Sequence, residues 1–191
     1  MKYEKFYSGK LDYPLLKNLD KEHGNKMRLL VEETERGSWT KKQKKMQKSN
    51  ILPNIVLYLT FIDNGIPAAD AKELVREYSY HVANKMHKLL ETFFQFPKFF
   101  ALFRFIMRKG MTGEEIWRSE ILSNDSQNIS MNVYKCLWAD TCRYFNCPEI
   151  CEIFCLCDHI VFGNLEKLQF ERTQTLGMNG EKCDFCFRSK L

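Results

Sequence analysis

Along the first two-thirds of the chain, apolar positions recur at three and four residues, the spacing of one helix face. A charged amphipathic stretch runs over about 20–36, with Leu29, Leu30 and Val31 inside it. A second helix is expected from near Trp39, with a lysine run on its solvated face. Pro53 lies in the apolar run Ile51 to Ile62 and is expected in the first turn of a new helix, where a missing N–H is harmless. Asn64-Gly65 then reads as a helix stop. From Ala68 the series Ala71, Leu74, Val75, Tyr78, Val82, Met86, Leu89, Leu90, Phe93 predicts one long amphipathic helix. Phe99 to Lys109 predicts a shorter helix ending at Gly110, packed over the core or covering a cavity.

The last third changes period. Residues 129–138 alternate well enough for a strand. Pro148 opens a helix to about Ile160, with Ile150, Phe154 and Cys157 at helical spacing. Residues 166–176 alternate again, which would place Leu168, Phe170, Arg172, Gln174 and Leu176 on one strand face. Asn179-Gly180 is a hairpin signal, and 182–188 the return strand. The expectation is an α+β fold: a helical N-terminal region, 1–125, packed on a small antiparallel sheet (β-α-β-β) in a motif-bearing region, 126–191, the two forming one compact domain.

Charge and cysteine content narrow the class. The 191 residues carry a net charge of +5, but residues 1–50 hold 13 Lys+Arg against 7 Asp+Glu, and Lys41–Lys48 alone holds five lysines and no acid. The remainder is near neutral, which argues against a nucleic-acid binder, whose basic residues should spread over a face. Pro97, Lys98 and Arg104 break the longest apolar stretch, Phe93 to Met107, so no membrane span is expected. The opening residues have no apolar signal core, so a cytoplasmic, reducing location is expected. There the eight cysteines, all between Cys136 and Cys186, should be thiols, metal ligands or catalytic groups rather than disulfides.

The candidate chemistry gathers in that region. Cys155 and Asp158 are three apart on a predicted helix and share a face. Arg172-Thr173 lie on one predicted hairpin strand and Cys183-Asp184 on the other, so regular pleating lets only one of each pair face a common site. An arginine among Leu168, Phe170 and Leu176 needs a carboxylate partner, either a ligand's or that of Asp158 or Asp184. The cysteines allow three readings. Cys183-x-x-Cys186 has metal-knuckle spacing, and Cys151, Cys155 and Cys157 could complete a zinc or iron–sulfur site, although Cys183 and Cys186 fall on opposite strand faces. Cys155 or Cys183 could be a nucleophilic thiolate activated by Arg172 or His159. All could equally be buried thiols. His159 is a candidate base or substrate contact, and Trp138 a pocket wall.

These residues fall into an ordered series: Lys135-Cys136-Leu137, Cys147-Pro148-Glu149-Ile150, Phe154-Cys155-x-x-Asp158, Phe170-Glu171-Arg172-Thr173-Gln174-Thr175-Leu176 and Gly180-x-x-Cys183-Asp184-Phe185. In order and spacing the series resembles the L-2-amino-thiazoline-4-carboxylic acid hydrolase family. Cys136, Cys155 and Cys183 sit at motif positions, whereas Cys142, Cys147, Cys151, Cys157 and Cys186 look like additions. The resemblance implies a hydrolase of a non-peptide C–N bond in a small cyclic amidine carrying a carboxylate, the named activity giving N-carbamoyl-L-cysteine. On that basis Arg172, with Thr173, Trp138 and His159, would bind substrate. Cys155 or Cys183 would be nucleophile, and Asp158 or Asp184 would move protons. No cofactor is required, with zinc or iron through Cys183 and Cys155 the metal option, and a homo-oligomer is compatible. The Gly-x-x-Cys hairpin is also similar to 4-vinyl reductase type domains, which leaves a non-catalytic small-molecule or metal-binding module as the alternative.

Overall fold

The computed structural model describes residues 2–190. The chain divides into two compact units, one up to Tyr78 and one from Ser79.

The first unit is helical: α1 (Lys2–Tyr7), α2 (Tyr13–Arg36), α3 (Lys41–Met46), α4 (Leu52–Asp63) and the first turns of α5 (Ala68–Phe94). The lysine run opens α3 behind a Thr40–Gln43 capping box and continues through a π turn, Gln47–Ile51, into α4. Pro53 stands in the first turn of α4, as its ring geometry demands. Asn64 caps the C-terminal end of α4 and Gly65 takes a φ of +80°, which glycine adopts without strain. Ile55, Val56, Leu57 and Phe61 of α4 are fully buried. The Tyr7 hydroxyl donates to the carbonyl of Leu74 at 2.7 Å, tying α1 to the start of α5.

The second unit is α+β. It holds the rest of α5, then α6 (Phe99–Met111), β1 (Trp117–Asn124), β2 (Asn128–Cys136), α7 (Leu137–Tyr144), α8 (Cys151–Phe162), β3 (Leu168–Glu171) and β4 (Cys183–Ser189). The strands form one antiparallel sheet of order β1-β2-β4-β3. Ile129, Met131, Val133, Leu168 and Phe187 line its inner face and pack against Phe94, Phe100 and Phe103 from α5 and α6. Phe187 meets Phe103, Phe162 and Phe170 at ring distances of 5.0–5.2 Å, so it is the hub of this core.

Three features differ from the pattern-based expectation. β1 was not anticipated, because its inward positions are Trp117, Ser119, Ile121 and Ser123, and two serines mask the alternation. Both serines are satisfied on that face, Ser119 by the carbonyl of Met111 and Ser123 by Ser130. Secondly, two helices, α7 and α8, separate β2 from β3, so the region is richer than β-α-β-β. Thirdly, the predicted strand 166–176 is cut to Leu168–Glu171. The Asp184 carboxylate takes the backbone N–H groups of Thr173 (3.0 Å) and Gln174 (2.8 Å), which a continued ladder would have used. Residues 172–182 therefore form a folded loop rather than a tight hairpin.

Candidate functional site

The loop is built on itself. The Thr175 carbonyl accepts from Met178 N–H (3.0 Å) and Gly180 N–H (2.9 Å), around a short 3₁₀ turn Leu176–Met178. Asn179 takes the left-handed conformation at φ 62°, which asparagine tolerates. A Cβ on Gly180 would stand 2.9 Å from both N and O of Thr175, so backbone approach excludes a side chain there. A Cβ on Gly177 would stand 2.6 Å from Cys155 Sγ and 2.8 Å from Cys151 Sγ. Glycine at 177 is thus what lets the loop lie against the thiols of α8.

Arg172 leaves the end of β3 and turns inward. Its side chain is 2 % exposed. Nη1 donates to Asp158 Oδ2 at 2.6 Å and Nη2 to the Cys155 carbonyl at 2.6 Å. The guanidinium also lies over the Phe185 ring, 5.3 Å from its centre. Of the two carboxylate partners the sequence allowed, Asp158 is the one observed. Both acceptors belong to α8. Burial pushes the Asp158 carboxyl up to about 6, and Arg172 only partly offsets this.

The motif cysteines meet through a threonine. Thr175 Oγ1 donates to Cys155 Sγ at 3.0 Å and lies 3.3 Å from Cys183 Sγ, where either atom can donate. Leu176 N–H also donates to Cys183 Sγ, at 3.3 Å. Cys155 in turn donates to Cys151, one turn earlier on the same helix. Cys151 accepts from Cys142 as well, and these two hydrogen bonds, aided by Arg143, hold its thiol below the usual range despite burial. Its place in the first turn of α8 favours the same ionisation. The bond to Cys151 and burial hold Cys155 above that range. Burial pushes Cys136 and Cys157 up to about 12. The result is a hydrogen-bonded line Cys183–Thr175–Cys155–Cys151–Cys142. Cys151, Thr175 and Cys183 are buried, while Cys155 is partly exposed.

The remaining predicted residues lie around this line. Asp184 is on the strand face opposite Cys183. Burial alone would raise its carboxyl, but the Thr173 hydroxyl and the amides of Gln174 and Thr173 outweigh that and hold it low. Asp184 and Thr173 are thus each other's partners, holding the loop. His159 is exposed against the Phe170 ring at 5.2 Å, its pKa lowered by burial and by Arg172. Trp138, at the start of α7, stacks on Trp117 of β1 at 5.2 Å and 8°. All eight cysteines are free. Cys186 lies 3.6 Å from the Asn128 side-chain oxygen, away from Cys183. Among the described residues, no three His, Cys, Asp or Glu side chains are grouped to hold a metal ion. Sequence reasoning named Cys151 only as a possible metal ligand and did not single out Thr175. Thr175 was visible as the second threonine of the Arg-Thr-x-Thr-Leu series, and Cys151 as the cysteine four residues before Cys155, on the same helix face.

The segments that build this site are the ones that carried the sequence resemblance, now brought together by α8, the 172–182 loop and β4. The L-2-amino-thiazoline-4-carboxylic acid hydrolase family matches residues 43–187, most of the chain. The chain belongs to that family. The match takes in the whole site, from Cys136 to Asp184, and the family name is that of a hydrolase. No curated protein and no solved structure matches the chain. Among the described residues no helix of this family member is long and apolar enough to cross a membrane.

Proposed function

We propose that this chain hydrolyses a small cyclic amidine bearing a carboxylate, a thiazoline ring of the kind its family is named for, with Cys155 as nucleophile. The observation that carries the reading is the Thr175 hydroxyl standing between the two motif thiols, 3.0 Å from Cys155 Sγ and 3.3 Å from Cys183 Sγ. Cys155 is the partly exposed cysteine of the line, and Cys151 beside it is the thiol whose ionised form the fold favours. Cys151 keeps the Cys155 thiol hydrogen-bonded, and the Cys155 proton passes to an amidine nitrogen as Cys155 Sγ adds to the amidine carbon.

Opening a 2-aminothiazoline to an N-carbamoylcysteine keeps both nitrogens on that carbon. The ring bond that breaks is therefore carbon–sulfur, and the leaving group that needs a proton is the ring sulfur rather than a nitrogen. Asp158, titrating near 6, supplies this proton. Water then adds to the resulting isothiourea carbon. Cys155 leaves with a proton, and the water oxygen becomes the urea carbonyl. Arg172 holds the Cys155 carbonyl and Asp158 in register. It also meets the substrate carboxylate when that group displaces Asp158 from Nη1. Thr175 and the Leu176 amide fix Cys183 at the far end of the line.

The test is release of free thiol from 2-amino-thiazoline-4-carboxylate by the purified protein. Turnover is expected in the native chain and a loss of about a hundredfold or more in Cys155→Ala. Cys183→Ala is expected to lower the rate less. Full turnover in both variants would refute the thiolate mechanism, and no turnover by the native chain would refute the substrate class.

A further inference from the structure

The apolar stripe predicted for α5 is buried only in its first half. Ala71 and Val75 are fully covered, whereas Val82, Met86, Leu89 and Phe93 are 41–50 % exposed. The exposure continues through the following turn, where Phe96 is 59 % exposed, and into α6. There Phe100, Phe103 and Met111 face the core, yet Leu102, Phe105 and Ile106, at i, i+3, i+4 on another face, are 51–54 % exposed. A helix apolar on both sides is one whose outer side is meant to be covered.

The charge around this face says by what. From Thr92 to Gly113 the chain has four basic residues, Lys98, Arg104, Arg108 and Lys109, and no acidic one. Arg104 is engaged with Asn124 and the Phe100 ring, while Lys98, Arg108 and Lys109 are exposed. A second copy seated on this face by a two-fold contact would bring these cations against their own kind. An anionic lipid surface accepts both features at once, the apolar side chains among the acyl chains and the cations at the phosphates. At 13 residues, α6 is too short to span a bilayer but suits one lying in the interfacial plane.

We propose that the α5–α6 corner is a membrane-docking surface for anionic phospholipid, with Phe96, Leu102, Phe105 and Ile106 inserting and Lys98, Arg108 and Lys109 meeting headgroups. The test is co-sedimentation of the full chain with phosphatidylglycerol–phosphatidylcholine vesicles and with phosphatidylcholine alone, at physiological salt. Binding is expected to the mixed vesicles only. It should weaken about tenfold or more in the double variant Phe105→Ser, Ile106→Ser, and similarly in Arg108→Glu, Lys109→Glu. Both pairs are exposed, so circular dichroism should stay native. The proposal is overturned if the mixed vesicles do not bind, or if neutral vesicles bind as well. It is also overturned if binding survives Phe105→Ser, Ile106→Ser but is lost when Lys41, Lys42, Lys44 and Lys45 are replaced by glutamine. Self-association abolished by Phe105→Ser, without vesicle binding, would instead assign the face to a second copy.

Discussion

Arg172→Met tests whether the buried guanidinium holds the site together. The substitution keeps an unbranched side chain against Phe185 and deletes two charge-assisted hydrogen bonds of 2.6 Å each. Hydrogen bonds to charged groups contribute roughly 1.5–3 kcal/mol each. The bond to the Cys155 carbonyl counts in full, because the guanidinium is 2 % exposed. The bond to Asp158 is discounted, because that side chain is 34 % exposed and can recover water. A loss of about 3 kcal/mol follows, at the lower edge of what breaking a buried pair costs.

The pH dependence makes the prediction sharper. Asp158 titrates near 6 in the fold against an ordinary value of 3.8. A raised folded pKa means a contribution to stability that is complete below 3.8 and lost as pH rises through about 6. In Arg172→Met the lowering influence of the guanidinium disappears, so this carboxyl climbs further and its ionisation at neutral pH becomes more costly. The variant should therefore lose more stability at about pH 8 than at about pH 5, by about 1 kcal/mol. Urea unfolding followed by near-ultraviolet circular dichroism of the Trp117–Trp138 stack reads the second unit directly. Equal losses at the two pH values, or a loss below about 0.5 kcal/mol, would refute the assignment of Arg172 as the tie between α8 and the loop.

Two further substitutions probe the loop. Gly177→Ala puts a methyl group 2.6 Å from Cys155 Sγ and 2.8 Å from Cys151 Sγ, and should cost about 1–3 kcal/mol. Adding Cys151→Ala should recover part of that loss, and strict additivity in urea unfolding would show that the sulfurs are not what the methyl meets. Asp184→Ala removes the acceptor for Thr173 and Gln174 and should release the loop. Because the Asp184 pKa is depressed in the fold, its contribution is present above the ordinary carboxylate range and fades as pH falls through its lowered value. An advantage of the native chain over Asp184→Ala that grew on acidification would be the contrary result.

Much of the architecture was legible from local pattern. The span of α5, the helix start at Pro53, the stop at Asn64-Gly65, β2, α8 and the α+β class all follow from periodicity and capping, which depend on neighbours a few residues away. The cluster of Cys155, Asp158, Arg172 and Cys183 was legible too, because helix spacing and the motif order confine them to one region. Tertiary structure decided what local rules cannot reach. Asp184 ended β3 by taking two amides across the loop, and Arg172, on the buried face its alternation suggested, found its partners on α8, in Asp158 and the Cys155 carbonyl. Satisfied serines hid β1. Which cysteines share protons depended on Gly177 admitting the loop against Cys151 and Cys155, an approach of backbone and sulfur that no spacing in the chain encodes. Sequence alone set which residues could form the site, since residue type and period act locally. Packing chose among their pairings, since a buried charge or thiol takes whichever partner the fold brings within hydrogen-bond reach.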